Sequence, residues 1–245
     1  MGVGLDLECR LRALLVEVYD SQTAERVAHD VCHRLRMHRQ KSDQAVKDLD
    51  ASDVMLITYG DAFSAPGEMP LYTLYRFFTQ RLAELISAVH VLPFYPYTSD
   101  DGFAVSDYRN VDAELGNWRD IERLSQATEL MFDFPLNHAS SAHEHFVQFL
   151  NNAPPGKDFF VSASPDADVS EVTRPRAHPL LQKFDTAAGS RHVWCTFSRD
   201  QVDWDFSNPD VLLMFIDVLL LYLHQGATWL RLDAIAYLWK CLGTT

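Results

Sequence analysis

Apolar residues recur three and four positions apart in "CRLRALLVEVY" and "ERVAHDVCHRLRMH", with charges on the opposite face. Residues 1 to about 50 therefore read as a helical extension. A polar connector, "KSDQAVKDLDASD", leads to a different pattern. "VMLITYG" (54–60) is a short β-branched run closed by glycine, and "LYTLYRFFTQRLAELIS" (71–87) has helical spacing. "VHVLPFYP" (89–96) is a second buried strand, stopped by its prolines. "NWRDIERLSQAT" is a helix that Asn117 can cap, and "ELMFDF" (129–134) is a third strand. From about 139 to 205 the chain is rich in Pro, Ser and Asp and reads as irregular. "NPDVLLMFIDVLLLYLHQG" then starts at Pro209 and ends at Gly226, as helix punctuation predicts, and "TWLRLD" is a fourth strand.

Strands that alternate with helices predict βα units, a parallel sheet and right-handed crossovers. Strands are expected near 54–59, 89–94, 129–134 and 228–233. Four units are half of a (β/α)8 TIM barrel, whose full form takes about 250 residues before insertions. The expected fold is α/β: the first half of such a barrel, with a small irregular inserted domain after strand three. The expected boundaries are a helical extension at 1–50, barrel strands one to three at 51–138, the inserted domain at 139–205, and barrel helix three with strand four at 206–245.

At 245 residues the chain can bury a sizeable core, and 47% hydrophobic with 22% charged residues is the balance of a globular protein. A net charge of −13 argues against nucleic-acid and anionic-membrane surfaces, though not against a small phosphate site. The four cysteines, Cys9, Cys32, Cys195 and Cys241, lack paired spacing and read as reduced thiols of a cytoplasmic protein. Acids stand where a signal peptide would be basic. The most apolar run, 211–223, is too short for a membrane span and carries Asp217.

Polar residues gather where each strand ends: Tyr59 and Asp61, then Asp100 and Asp101, then Asp133, Asn137 and His138, then Arg231 and Asp233. That end of a parallel barrel sheet is where ligands bind. Singly, Asp133 or Asn137 reads as a loop cap, His138 as core packing, and Arg231 with Asp233 as a structural ion pair. Alternate strand residues share a face, however, and a buried pair is a costly route to stability. A guanidinium beside a carboxylate is expected to keep it ionised, as a carboxylate nucleophile requires. The histidines of "HASSAHEHF" (His138, His143, His145) and of "HDVCH" (His29, with Cys32 and His33) could ligate a metal, but capping or solvated histidines are commoner. No metal or cofactor is expected.

The stretches "VLPFYPYTSDDGFAVSDYRNVDAELG", "LMFDFPLNH" and "WLRLDAIAY" resemble three motifs of the α-amylase superfamily, in its sucrose phosphorylase and glucosylglycerate phosphorylase branch. The likeness covers roughly residues 52–243. It implies a retaining α-glucoside phosphorylase that transfers glucose from sucrose, sucrose 6-phosphate or glucosylglycerate to phosphate. Asp233 would be the nucleophile and Arg231 its partner, with Asp133 in a structural role beneath. His138 and Asp100 would bind the glucose, and Phe103 and Phe197 would wall it. Gln201 and Tyr237 would line the acceptor side, and Arg176 would approach phosphate. The Asn matching Asn137 often binds calcium in amylases, whereas phosphorylases of this branch generally do without it. The family's acid/base Glu lies on a fifth strand, beyond these 245 residues, so residues 1–245 alone are expected to turn over little. Hydrolysis or transglycosylation of α-glucosides, and a non-catalytic sugar-binding remnant that self-associates through an open sheet edge, are the alternative readings.

Overall fold

The computed structural model describes residues 2–38 and 50–244, so most of the polar connector lies outside the described residues. Helices α1 (Gly2–Leu15) and α2 (Ser21–Met37) form an N-terminal hairpin. The Asp20 carboxylate accepts from the backbone amides of Gln22 and Thr23 and so satisfies orphan donors at the start of α2. Strand β1 (Met55–Thr58), helix α3 (Pro70–Arg81) and strand β2 (Ala88–Val91) follow. Helix α3 is shorter than its spacing suggests, because residues 82–85 form a turn rather than a further helical turn. Helix α4 (Trp118–Ser125) opens with a capping box of Asn117 and Asp120 and leads to β3 (Glu129–Pro135).

The insertion contains β4 (His138–Ser140), α5 (Glu144–Leu150), β5 (Ser162–Ala163), β6 (Leu181–Thr186), β7 (Gly189–Trp194) and β8 (Gln201–Asp203). Strands β5, β7 and β6 form an antiparallel sheet, and β8 pairs antiparallel with β4. This segment is more regular than its composition suggested. Its strands are too short to show a clear period of two, and their partners are distant in sequence. Helix α6 (Pro209–His224) then carries the chain to β9 (Ala227–Asp233). Gly226 has φ +96°, and a Cβ there would lie 2.6 Å from the Ser125 side chain, so the turn admits no larger residue without a shift.

Strands β1, β2, β3 and β9 form one parallel sheet in that order, as the alternating pattern predicts. Its outer face is covered by aromatic packing: Tyr95 and Tyr222 stack at 5.0 Å, and Phe132 and Phe134 meet Tyr222 edge-on. The N-terminal hairpin packs outside α6, where Val27 and Val31 of α2 bury against Leu213. Arg34 and Asp217 form an ion pair at 2.8 Å across the same contact. Replacing Asn117 by Ala is expected to cost about 1 kcal/mol of stability through loss of the α4 cap, measured by urea unfolding.

Candidate active site

The parallel register sets Asp133 of β3 directly opposite Arg231 of β9, and Pro135 opposite Asp233. Asp133 is fully buried. One of its oxygens meets His90 Nε2 at 2.7 Å and the other accepts from Arg231 Nη1. Arg231 uses its second nitrogen, Nη2, on Asp233 Oδ1 at 3.0 Å. One guanidinium thus bridges a buried carboxylate and a more accessible one, and its fork geometry suits that double duty.

Two sequence expectations for this pair need correction. Within residues 1–245 Arg231 and Asp233 are not a buried pair: their side chains are 44% and 20% exposed, β9 being an edge of the four-stranded sheet that these residues form. Nor does Arg231 hold the Asp233 carboxyl below its ordinary range. Burial pushes the Asp233 pKa up from 3.8, Asp133 and Asp100 add to the rise, and the opposing pull of Arg231 and His138 is not enough to reverse it. Part of the guanidinium charge is already committed to Asp133.

Around this pair the structure assembles the other expected residues. His138 is buried at the start of β4, and burial lowers its pKa, favouring the neutral ring. Its Nε2 lies 3.2 Å from the Phe103 carbonyl, while Asn137 Nδ2 lies 3.4 Å from Nδ1. Phe197 packs against the His138 ring at 5.0 Å and meets Tyr237 edge-on at 5.4 Å. The Arg231 guanidinium lies over the Phe103 ring at 5.7 Å. Gln201 donates from Nε2 to Asp100 Oδ2 at 2.8 Å and is 3.1 Å from His138 Nε2. Its amide therefore joins Asp100 and His138, the two residues expected on the glucose side. Asp100 itself has φ +58°, and Asp101 after it +50°. Arg176 stands apart on an exposed loop, where it lines a cleft of about 540 Å³ with His178, Arg199 and Phe197. Phe197 is the residue that this cleft shares with the cluster.

A catalytic-domain model of the α-amylase family matches residues 81–243. The chain belongs to the α-amylase family. A glucosylglycerate phosphorylase of Spirochaeta thermophila is 48% identical over 243 residues, which are 96% of this chain and 41% of that protein. One from Escherichia coli strain K12 is 49% identical over 81% of this chain and 36% of its own length. A sucrose phosphorylase of Streptococcus mutans is 33% identical over 78% and 41%. The crystal structure of a sucrose 6F-phosphate phosphorylase from Thermoanaerobacter thermosaccharolyticum superposes with a TM-score of 0.73 at 25% identity, covering 84% of this chain and 44% of that one. The chain spans about two fifths of the length of these curated relatives.

Membership of the α-amylase family brings Asn137 into focus, since the corresponding Asn of amylases is often a calcium ligand. Here the Asn137 side-chain oxygen accepts from Lys240 Nζ at 2.8 Å. The same ammonium lies 3.2 Å from the fully buried Asp203 and donates to the Tyr237 carbonyl at 2.7 Å. A calcium ion does not fit beside that charge. Burial pulls the Lys240 pKa down while Asp203 resists the change. Sequence reasoning missed both residues. Lys240 lies in a run read as apolar, and Asp203 in one read as irregular, with no spacing that links them. Of the other candidate ligands, His143 caps α5 and His29 pairs with Glu8. Burial of His143 lowers its pKa to about 3.

Removing one partner of a buried ion pair strands the other charge. Lys240→Met is therefore expected to cost about 3–5 kcal/mol in urea unfolding at neutral pH. Asp233→Asn should do the reverse. A carboxyl whose folded pKa is raised above 3.8 penalises the fold once it ionises. That penalty is full above the folded pKa and absent below 3.8. The variant should melt higher than the unaltered protein at pH 7, and the gap should close as pH falls through that window.

Proposed function

We propose that this chain carries the nucleophile and the glucose-binding wall of a retaining α-glucoside phosphorylase, with glucosylglycerate as the favoured donor. The observation that carries this reading is the Arg231–Asp233 pair at the end of β9, with Arg231 over the Phe103 ring and Phe103 linked in turn by hydrogen bonds to His138, Gln201 and Asp100. In this reading a carboxylate oxygen of Asp233 attacks the anomeric carbon as the glycosidic C–O bond breaks, and the leaving oxygen takes a proton from a second carboxyl. A phosphate oxygen then attacks the same carbon from the opposite face. The ester bond to Asp233 breaks and α-glucose 1-phosphate departs.

Each side chain has a part in this scheme. Arg231 orients Asp233 and offsets its charge in the ground state. Asp100 and His138 bind glucose hydroxyls, and Gln201, bonded to both, belongs with them rather than on the acceptor side. Phe103, Phe197 and Tyr237 present apolar faces to the sugar. Arg176 in its cleft with His178 and Arg199 gives incoming phosphate a cationic approach. No cofactor is needed for these bond changes. The higher identity to glucosylglycerate phosphorylases than to sucrose phosphorylases favours the acidic donor. Four free cysteines suit a reducing, cytoplasmic setting. No described helix is long and apolar enough to cross a membrane.

The test is an assay of the full-length protein with glucosylglycerate, sucrose and sucrose 6-phosphate, each with and without phosphate. The expected outcome is phosphate-dependent formation of α-glucose 1-phosphate, fastest from glucosylglycerate and abolished by Asp233→Ala. Glucose release independent of phosphate would favour hydrolysis instead, and no release from any donor would favour a sugar-binding remnant. In this reading the second carboxyl comes from outside residues 1–245. General acid help is worth about 10²–10⁴-fold. A polypeptide limited to residues 1–245 should therefore turn over sucrose and glucosylglycerate negligibly, while an activated glucosyl fluoride, which needs no acid, can still label Asp233. Phosphorolysis by that polypeptide at the full-length rate would contradict the assignment. Size-exclusion chromatography of the same polypeptide would reveal any self-association through its exposed sheet edges.

A further inference from the structure

The Asp200 carboxylate lies at the junction of three chain segments. Its Oδ2 accepts from the hydroxyls of Thr98 at 2.5 Å and Ser99 at 2.6 Å, both on the loop that carries Asp100. Its Oδ1 accepts from the Ser141 hydroxyl at 2.5 Å and the Ser141 amide at 3.3 Å, with the Ser140 hydroxyl at 3.5 Å. Ser140 ends β4, the strand that begins at His138, and its hydroxyl also meets that of Thr98 at 2.6 Å. Asp200 itself directly precedes Gln201, in a turn closed by the Gln201 amide on the Ser198 carbonyl. One carboxylate thus gathers the segments that bear Asp100, His138 and Gln201.

The Asp100 segment needs such a hold. Asp100 and Asp101 both have positive φ, and Gly102 after them has φ +102° with no room for a Cβ against Pro93. Non-glycine residues in that region are strained and persist only where their surroundings over-determine them. Two side chains adjacent in sequence hold this turn from one side: Asp200 on Thr98 and Ser99, and Gln201 on Asp100 itself. Burial alone would push the Asp200 carboxyl up, but the bonds from Ser141, Ser99 and Thr98 together bring its pKa below the ordinary value. The carboxylate is accordingly the bound form at neutral pH.

We infer that Asp200 is a positioning residue for the sugar pocket: it touches no substrate, and it fixes the strained Asp100 turn in register with His138 and Gln201. The inference rests on the reading of those three residues as the glucose-binding group. A displacement of about 1 Å at a reacting site can cost on the order of 10²-fold in rate. Asp200→Ala should therefore lower kcat/KM for the glucoside donor by about 10–100-fold in the full-length protein. Asp200→Asn, whose amide keeps one acceptor oxygen, should fall between.

A double-mutant cycle with Asp100→Ala separates positioning from general destabilisation. In the Asp100→Ala background the further loss from Asp200→Ala should nearly vanish, because the residue it positions is gone. Additive losses in the cycle, or unchanged kcat/KM in Asp200→Ala, would overturn the inference. Hydrogen exchange gives a readout that does not depend on catalysis. The Phe103 amide bonds to the Asp100 carbonyl and the Ala104 amide to the Ser99 carbonyl, and both should exchange faster in Asp200→Ala while β3 amides stay protected. If the unaltered protein transfers no glucose, the proposed function fails on its own, and the exchange rates at Phe103 and Ala104 still decide whether Asp200 holds the turn.

Discussion

The buried carboxylate of Asp133 is the constraint on which the site depends. A fully buried carboxylate needs both oxygens satisfied, and the neighbouring strands supply one partner each: His90 from β2 and Arg231 from β9. Those two bonds tie three parallel strands together at one level. They also turn the Arg231 guanidinium toward Asp233, one pleat further along the same face. The proposed nucleophile is therefore held, through Arg231, by a fully buried residue.

A second polar knot secures the other wall. Strand β8 returns from the insertion to pair with β4, which brings Asp203 opposite His138 and Gln201 opposite Ser140. Lys240, just beyond β9, reaches back to Asn137 and Asp203. The insertion is thus fastened to the barrel sheet by a side-chain cation, and the ammonium brings its own charge and leaves no oxygen cage for an ion. Asp200 adds a third fastening through hydroxyls rather than charges. The aromatic walls at Phe197 and Tyr237 then follow from where these knots put their backbones.

Sequence pattern alone determined the parallel sheet. Four β-branched or apolar runs, each followed by polar residues and separated by helical spacing, leave little other choice, and the ends of the observed strands fall within three residues of the expected ones. Cap chemistry at Asn117 and Pro209 was legible for the same reason, since it is local. The candidate residues at the strand ends were legible because a strand's last residues have nowhere to point except the open end of the sheet. Their partners were not. His90, Asp203 and Lys240 lie 43, 65 and 103 positions from the residues they hold, Asp133, His138 through its strand register, and Asn137.

Tertiary structure decided what pattern cannot carry. The electrostatic balance at Asp233 was expected from its one sequence neighbour, Arg231, but it is set by burial and by Asp133 and Asp100 from other strands and loops. Exposure of Arg231 follows from β9 being an edge of the sheet that residues 1–245 form, and not from the run "WLRLD". The order within the insertion depends on pairing between short strands far apart in sequence, which composition does not report. The sequence thus determines which elements form and which chemistry each strand end presents, because those depend on neighbours along the chain. Which groups share a proton, a charge or a hydroxyl depends on neighbours in space, and only the folded chain decides that.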